Sequence, residues 1–227
     1  MKTYAISDIH GCNNTFTELL NQIGLNKTDR LFLLGDYIDR GKHSIKTLDK
    51  IIQLQKDGFN IQCLIGNHEQ MLLDCFNNPS VSEIWLVNGG RSVLSELGID
   101  TPSQIPKKYI DFIKNLKYSI DVDDYIFVHA GLNADVYNPL LDKQSLIWIR
   151  NWEDNPYLEE YLGGRKVIHG HTPQMRTKIK KRFSNFAQNF HSVLNIDNGC
   201  FFEKDGYNQL CCVDLTDNKL LFQKNCD

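Results

Sequence analysis

Short apolar runs alternate with amphipathic segments through the first 69 residues of the chain. Two segments, 15–24 and 44–55, carry leucine and isoleucine at helical spacing, and Gly24 is a natural stop for the first of them. The runs before and after these segments have the length and apolar character of buried strands: YAIS at 4–7, LFLL at 31–34 and IQCLI at 61–65. This alternation predicts parallel strands joined by helical crossovers.

From residue 118 onward the pattern changes to short apolar segments, which are YSIDV, YIFVHAG, KVIHGHT, VLNIDNG, QLCCVDL and KLLFQ. Such segments, joined by tight turns, predict a second sheet packed on the first. Between the two halves, at about 70–117, a mostly helical pattern contains Pro102 and Pro106, and we interpret it as a helical insertion over one edge of the site. Residues 1–227 together predict one α/β domain, a two-sheet β-sandwich flanked by helices.

Composition narrows the class of protein. A length of 227 residues is within the single-domain range for α/β folds. The net charge is −3 and the charges are scattered, so we expect no nucleic-acid partner. The seven cysteines form no C-x-x-C pair, which indicates reduced thiols. Since no apolar run has the length of a membrane span, we expect a cytoplasmic protein with no membrane partner.

Polar motifs follow the predicted strands: DIHG, GDYIDRG, GNHE, HAG and HGHT. The carboxyl ends of parallel strands meet at one edge of a sheet, so these motifs are expected to converge there. Six of their side chains are oxygen or nitrogen donors, with no thiolate among them, and suit divalent ions such as Mn²⁺, Fe²⁺ or Zn²⁺: Asp8, His10, Asp36, Asn67, His129 and His171. Six donors are too many for one catalytic ion, but they suit two ions that share Asp36 as a bridge.

A pair of neighbouring divalent ions activates water and clamps the oxygens of an in-line displacement at phosphorus. Such a reaction needs positive charge on the outer oxygens, which the planar guanidinium of Arg40 can supply. It also needs an acid for the leaving group, for which His68 is the natural donor, with Asp39 holding its imidazole and favouring the charged form. Each motif alone is explained as well by a turn, a helix cap or a structural histidine. Their joint occurrence, each at the end of an apolar run, favours the metal centre.

In this order, the motifs resemble those of the calcineurin-like metallophosphoesterases, specifically the phosphoprotein phosphatase branch with its small bacterial and phage members. The stretches EIWLVNGG, SLIWIRNWE and NIDNG extend the likeness over nearly the whole chain. The resemblance implies two divalent ions, most often manganese in bacterial members. It assigns Asp8 and His10 to the first ion, Asp36 to the bridge, and the second ion to Asn67, His129 and His171.

The resemblance also implies roles in catalysis. Arg40 and Arg150 match the phosphate-binding arginines of the family. His68 matches the catalytic acid, which lies beside the substrate and next to the metal ligand Asn67. Asp39 matches the partner of this acid. Arg150 is identified by the resemblance alone, because in isolation it reads as a surface residue after an apolar run.

The function implied is hydrolysis of phosphomonoesters by direct attack of a metal-bridging hydroxide. The expected substrates are phosphoserine, phosphothreonine or phosphotyrosine in proteins, or a phosphorylated small molecule. The alternative is a symmetrical diadenosine tetraphosphate hydrolase, because those related enzymes share the same loops. A non-catalytic metal-binding or docking protein is a third class, which the complete set of motifs disfavours.

Several further residues have either two alternative interpretations or a purely structural one. The stretch 174–192 looks longer than in the small phage members, and its bases indicate either a solvated loop or a rim that attracts an anionic substrate: Arg176, Lys178, Lys180, Lys181 and Arg182. Three tryptophans are interpreted as packing residues, and His169 as packing in or beside a strand: Trp85, Trp148 and Trp152.

Overall fold

The computed structural model describes residues 1–227, apart from the side chain of Asn77. The described residues form nine strands, numbered β1 to β9 in chain order: Thr3–Ile6, Arg30–Leu33, Asn60–Cys63, Ser119–Val122, Tyr125–Val128, Lys166–His169, Val193–Asn195, Gln209–Asp214 and Lys219–Lys224. They also form nine α-helices, numbered α1 to α9: Asn13–Ile23, Ser44–Lys56, Asn67–Asn77, Ser82–Trp85, Arg91–Leu97, Lys107–Lys114, Lys143–Trp148, Leu158–Leu162 and Arg176–Ala187.

Two sheets organise these elements. The first has the strand order β3-β2-β1-β8-β9 and the second the order β4-β5-β6-β7. Strands β1, β2 and β3 are parallel, with Tyr4 opposite Leu31 and Leu31 opposite Ile61. Strands β5, β6 and β7 are also parallel, with Ile168 opposite Leu194. Each sheet therefore contributes a row of parallel carboxyl ends, from which the polar motifs emerge.

The sheets pack face to face through a buried apolar layer. On β1, Ala5 lies in this layer, whereas Tyr4 and Ile6 lie in the core on the opposite face, beneath the helices. At the centre of the layer, Phe32 of β2 stacks on Phe127 of β5 with ring centroids 4.1 Å apart. Full burial of one large apolar side chain contributes roughly 1.5–3 kcal/mol. This layer therefore holds the strand ends of both sheets in a fixed relation.

The two-sheet sandwich with flanking helices is confirmed, but the assignment of strands to sheets is corrected. Strands β8 and β9 were expected in the second sheet and instead extend the first, where β8 pairs antiparallel with β1 and places Ala5 opposite Val213. Strand β8 is buried on both faces, with Cys211 and Cys212 in different cores. Its apolar run carries no information on which neighbour it pairs with, so only the packing decides.

Helix α9 is a second correction, because it occupies most of the stretch interpreted as a basic loop. Ile179, Phe183 and Phe186 recur at helical spacing and pack on the core between the sheets. The surrounding bases obscured this apolar face in the sequence. Upstream, α3 to α6 cover 67–114, the segment in which helices were expected.

Two further observations concern the whole chain. All seven cysteine side chains are free thiols in the described structure, and six of them are buried. Across residues 1–227, we find no helix with the length and apolar character that crossing a bilayer requires.

Candidate active site

Five strand ends bring the predicted ligand residues together. Asp8 and His10 follow β1, Asp36 follows β2, and Asn67 opens α3 directly after β3. His129 follows β5 and His171 follows β6, so the second sheet supplies the rest of the cluster. All six side chains are at most 6% exposed. The convergence expected at the carboxyl edge is present, with both sheets contributing to it.

The backbone at the site is strained. Asp8, His10, Asp36, Asp39, Arg40 and His171 all have positive φ, between 46° and 71°. A non-glycine residue in this region costs of the order of 1 kcal/mol or more, and such residues persist where the surroundings over-determine them. The loops after β1, β2 and β6 therefore hold their side chains in directions that regular strand geometry would not provide.

Asp36 lies at the centre of the cluster. Its Oδ2 is 3.4 Å from Nε2 of His10, 3.5 Å from Nε2 of His129 and 4.0 Å from Nε2 of His68. Two groups of potential ligand atoms each lie within 4.8 Å of one another, namely His10–Asp36–His68 and Asp36–His129–His171. Asp36 belongs to both groups, which is the position that a bridging carboxylate requires.

Backbone carbonyls orient two of the imidazoles. Nδ1 of His10 lies 3.0 Å from the carbonyl oxygen of Ile38, and Nδ1 of His129 lies 2.8 Å from that of Leu34. A metal-binding histidine commonly donates its second nitrogen in this way, which fixes the ring and leaves Nε2 as the ligand atom. In both residues the Nε2 atom faces Asp36.

Asn67 joins the second group. Its Oδ1 lies 3.0 Å from Nε2 of His129 and 2.9 Å from Nδ1 of His171. The Nε2 atom of His171 is buried without a hydrogen-bond partner among the described residues. A buried nitrogen without a hydrogen-bond partner is costly, so this atom could act as a further donor to a bound group.

Asp8 is placed differently from the other predicted ligands. Its carboxylate accepts hydrogen bonds from the backbone N–H of His171, at 3.2 and 3.1 Å, and from the hydroxyl of Ser7. It lies outside the two closely spaced groups, in one of which His68 takes the place expected for Asp8. The close approach requires Gly170, where a Cβ atom would overlap with Asp8 and Ser7.

The electrostatics of the cluster suit cations. Burial, together with the charges of Asp8 and Glu69, raises the pKa of Asp36 well above its usual value. Burial, Arg40 and His68 lower the pKa of His10, and burial with His129 and Arg150 lowers that of His171 to about 2. The imidazoles of His10 and His171 are thus neutral, the form that binds metal, and the buried carboxylate of Asp36 needs positive charge. The donor set fits divalent ions.

The predicted acid and its partner are in direct contact. Nδ1 of His68 lies 2.6 Å from Oδ2 of Asp39, and both side chains are buried. Burial, Arg40 and His129 lower the pKa of His68, which opposes the charged form that Asp39 was expected to favour. Burial and the charges of Glu69 and Asp36 raise the pKa of Asp39. The pair therefore favours a shared proton over separated charges.

Trp85 completes this pair, and its role was missed in the sequence. Its indole N–H donates to both carboxylate oxygens of Asp39, at 3.1 and 2.9 Å. This hydrogen bond lowers the pKa of Asp39 and so partly opposes the effect of burial. The interpretation of Trp85 as a packing residue was incomplete, although the side chain is fully buried.

Glu69 is a second residue that the sequence interpretation missed. One oxygen accepts backbone N–H groups of Asp36 and Gly66, at 2.8 and 2.9 Å. The other accepts those of Tyr37 and Ile38, at 2.8 and 3.2 Å. Glu69 thus ties the loop after β2 to the start of α3. Its place in the first turn of a helix was the only available signal.

Asp197 adds a fifth buried carboxylate to the site, beside Asp8, Asp36, Asp39 and Glu69. Its Oδ1 accepts the backbone N–H of Gly199 at 2.8 Å. Burial and the charge of Asp8 raise the pKa of Asp197 well above its usual value. The sequence had marked NIDNG only as a stretch of likeness, with no role for this acid.

The two predicted phosphate-binding arginines lie at the exposed rim. Nη1 of Arg40 is 2.7 Å from Nε2 of His10, and its guanidinium carbon is 4.5 Å from the centre of the Phe201 ring. An ion on His10 would compete with Arg40 for this nitrogen. Nη1 of Arg150 donates to the hydroxyl of Thr172 at 2.7 Å, which places the guanidinium beside the His171 loop.

A family model described as calcineurin-like phosphoesterase matches residues 1–175. The chain belongs to the calcineurin-like phosphoesterases. This confirms the resemblance drawn from the order of the motifs. Divalent metal ions are implied by the family, and the two ligand groups around Asp36 are candidate residues for holding them.

Curated relatives among the calcineurin-like phosphoesterases carry three different names. A "Bis(5'-nucleosyl)-tetraphosphatase PrpE [asymmetrical]" of a Geobacillus species is 26% identical over 89% of this chain and 87% of its own length. A "Serine/threonine-protein phosphatase 2" of Salmonella typhimurium is 32% identical over 65% of this chain and 67% of its own. A "Bis(5'-nucleosyl)-tetraphosphatase, symmetrical" of Nitrosomonas europaea is 35% identical, but over 58% of this chain and 45% of its own length.

Solved structures support the fold. A protein serine/threonine phosphatase from Saccharomyces cerevisiae superposes with a TM-score of 0.71 at 14% identity, covering 100% of this chain and 81% of the other. A cold-active protein-tyrosine phosphatase of a Shewanella species gives 0.64 at 16% identity, covering 98% and 80%. At these identities the likeness concerns the architecture alone.

Proposed function

We propose that this calcineurin-like phosphoesterase holds two divalent ions around Asp36 and hydrolyses a phosphorus–oxygen bond there. The observation that carries the proposal is the shared position of Asp36, whose carboxylate belongs to both groups of closely spaced ligand atoms. The six proposed ligands are those named from the sequence. Asp8, outside the close groups, takes part through its carboxylate near His171.

The proposed chemistry divides between the ions and the side chains. Bound divalent ions, for which we propose manganese, supply an activated water and neutralise charge on the phosphoryl oxygens. His68 presents Nε2 to the leaving oxygen and donates a proton, while Asp39 holds Nδ1. Arg40 and Arg150 bind the outer phosphoryl oxygens. A phosphoryl dianion raises the pKa of His68, so substrate binding favours the protonated acid.

For the substrate, we propose a dinucleoside polyphosphate. The relatives that align over nearly nine tenths of the chain are named as tetraphosphatases, which supports this choice over the phosphoprotein that the sequence placed first. A cavity of about 600 Å³ between α3 and α7 adds support, and its lining includes Met71, Ile84 and Trp148. The Trp148 ring is 6.2 Å from that of His171. A cavity beside the site with both apolar and polar lining residues suits a nucleobase.

A phosphoprotein remains the second candidate. The Salmonella typhimurium relative named as a serine/threonine phosphatase is 32% identical over 155 residues. The cavity beside Trp148 also suits an apolar side chain of a phosphopeptide.

The test compares three substrates on manganese-loaded protein: diadenosine tetraphosphate, a phosphoserine or phosphothreonine peptide, and para-nitrophenyl phosphate. We expect the highest kcat/KM for diadenosine tetraphosphate. Chromatography of its products then identifies the cleaved bond, since ADP alone indicates symmetrical cleavage and ATP with AMP indicates asymmetrical cleavage. A higher kcat/KM for the peptide selects the second candidate. Failure to hydrolyse any of the three, with both metals bound, rejects the proposed activity.

A further inference from the structure

Two adjoining cavities lie between α9 and the segment 149–154, on the His171 side of the site. The smaller, of about 180 Å³, is lined by Arg150, Thr172 and Lys178 among others. The larger, of about 540 Å³, is lined by Lys178, Lys181 and Arg182 among others. Lys178 lines both, so the cavities connect the proposed phosphate-binding Arg150 to the basic face of α9.

Helix α9 divides its bases between two faces. Lys178, Lys181 and Arg182 line the larger cavity, whereas Arg176 stacks its guanidinium 4.8 Å from the Phe222 ring and Lys180 lines neither cavity. Lys178 and Lys181 are exposed, and neither forms an ion pair with any acid whose side chain the structure describes. Two unpaired ammonium groups therefore face the cavities.

Acidic residues also line the cavities, and their charge is largely compensated. Glu153 pairs with Arg182, and its Oε1 lies 3.4 Å from Nε2 of His169. Burial raises the pKa of Glu153, but His169 and Arg182 outweigh burial and lower it to about 2. His169 and Arg182 thus stabilise the ionised form of Glu153. Asp154 is the one exposed acid among the lining residues that the structure describes.

We propose that these cavities bind phosphate groups of the substrate beyond the one that is hydrolysed. Arg150 lines the smaller cavity, where its guanidinium donates to Thr172, and Lys178 and Lys181 continue the positive charge into the larger cavity. Ammonium groups bind phosphate oxygens by charge-assisted hydrogen bonds. This subsite rests on the proposed function, because it assumes a polyphosphate substrate. It would explain how a chain of phosphates is held.

The first test measures binding without catalysis. Tripolyphosphate is titrated calorimetrically into metal-free protein, so that chelation of the metals and hydrolysis play no part. We expect the double variant Lys178→Gln/Lys181→Gln to bind at least about tenfold more weakly, as loss of charge-assisted hydrogen bonds predicts. Lys180→Gln is the control, because it removes one lysine charge from a position on α9 that lines neither cavity. Asp154→Asn removes the opposing charge and should strengthen binding.

The second test separates the subsite from the proposed activity. The ratio of kcat/KM for diadenosine tetraphosphate to that for para-nitrophenyl phosphate should fall by about tenfold in the double variant and stay unchanged in Lys180→Gln. Equal weakening of tripolyphosphate binding in Lys180→Gln and in the double variant, or wild-type binding by the double variant, would overturn the subsite. If these lysines bind tripolyphosphate but the protein hydrolyses no dinucleoside polyphosphate, the subsite is supported and the proposed substrate is rejected.

Discussion

The indole N–H of Trp85 donates to both carboxylate oxygens of Asp39, which in turn contacts Nδ1 of His68 at 2.6 Å. This relationship joins a helix of the 67–114 segment to the proposed catalytic acid. A buried carboxylate with two partners is held in one orientation, and it holds the imidazole in one tautomer. The helical segment therefore helps to position the proposed catalytic acid, in addition to covering one edge of the site.

Removing the indole donor tests this link. In Trp85→Phe the pKa of Asp39 rises, because the hydrogen bond from Trp85 lowers it. Asp39 is then ionised only at higher pH, so the acid limb of the kcat/KM profile should move to higher pH. Trp152→Phe is the control, since the Trp152 N–H donates to the carbonyl of Ala130 at 3.0 Å. An acid limb that moves equally in both variants, or in neither, contradicts the role of Trp85.

The variant His68→Asn separates an acid from a ligand. If His68 is the proton donor, kcat falls by about 10²- to 10⁴-fold while metal content stays at the wild-type level. The structure sharpens this test, because His68 lies in one group of closely spaced ligand atoms. If elemental analysis shows that one ion is lost, His68 is a metal ligand. If the variant keeps full activity, His68 has no role in the mechanism.

Asp36→Asn and Asp8→Asn distinguish a bridge from a single-site ligand. Because Asp36 belongs to both ligand groups, its variant should weaken the binding of both ions. Asp8→Asn should weaken one. Metal titration followed by elemental analysis gives the stoichiometry of each variant. Two ions retained in Asp36→Asn contradict the bridge, and two retained in Asp8→Asn show that Asp8 acts through the backbone of His171 instead.

Glu69→Gln tests the carboxylate that holds the site loops together. The amide nitrogen of glutamine cannot accept a hydrogen bond, so some of the four backbone N–H groups lose their partner. We expect the free energy of unfolding to fall by about 2–4 kcal/mol, measured by urea denaturation. Glu83→Gln is the control, because Glu83 is 69% exposed and a surface pair contributes less than about 1 kcal/mol. Equal stability of the two variants contradicts the role of Glu69.

The sequence by itself determined the strands and predicted most of the residues that meet at the site. Strands β1 to β3 and their crossover helices follow from local periodicity, and each polar motif lies within a few residues of a strand end. Since strand ends of a parallel sheet share one edge, the convergence of the motifs could be derived without coordinates. Donor chemistry then predicted the six ligands and the roles of His68, Asp39 and Arg40. Arg150 required the family resemblance, because its partner Thr172 is 22 residues away.

The tertiary structure alone decided the contacts between distant segments. Trp85 is 46 residues from Asp39, Glu69 is 33 from Asp36, and β8 pairs with a strand at the other end of the chain. An apolar run such as that of β8 has the same pattern in either sheet, and a tryptophan in a helix has the same pattern whether or not its N–H finds a carboxylate. Such pairings depend on how whole elements pack, and local periodicity carries no record of that packing.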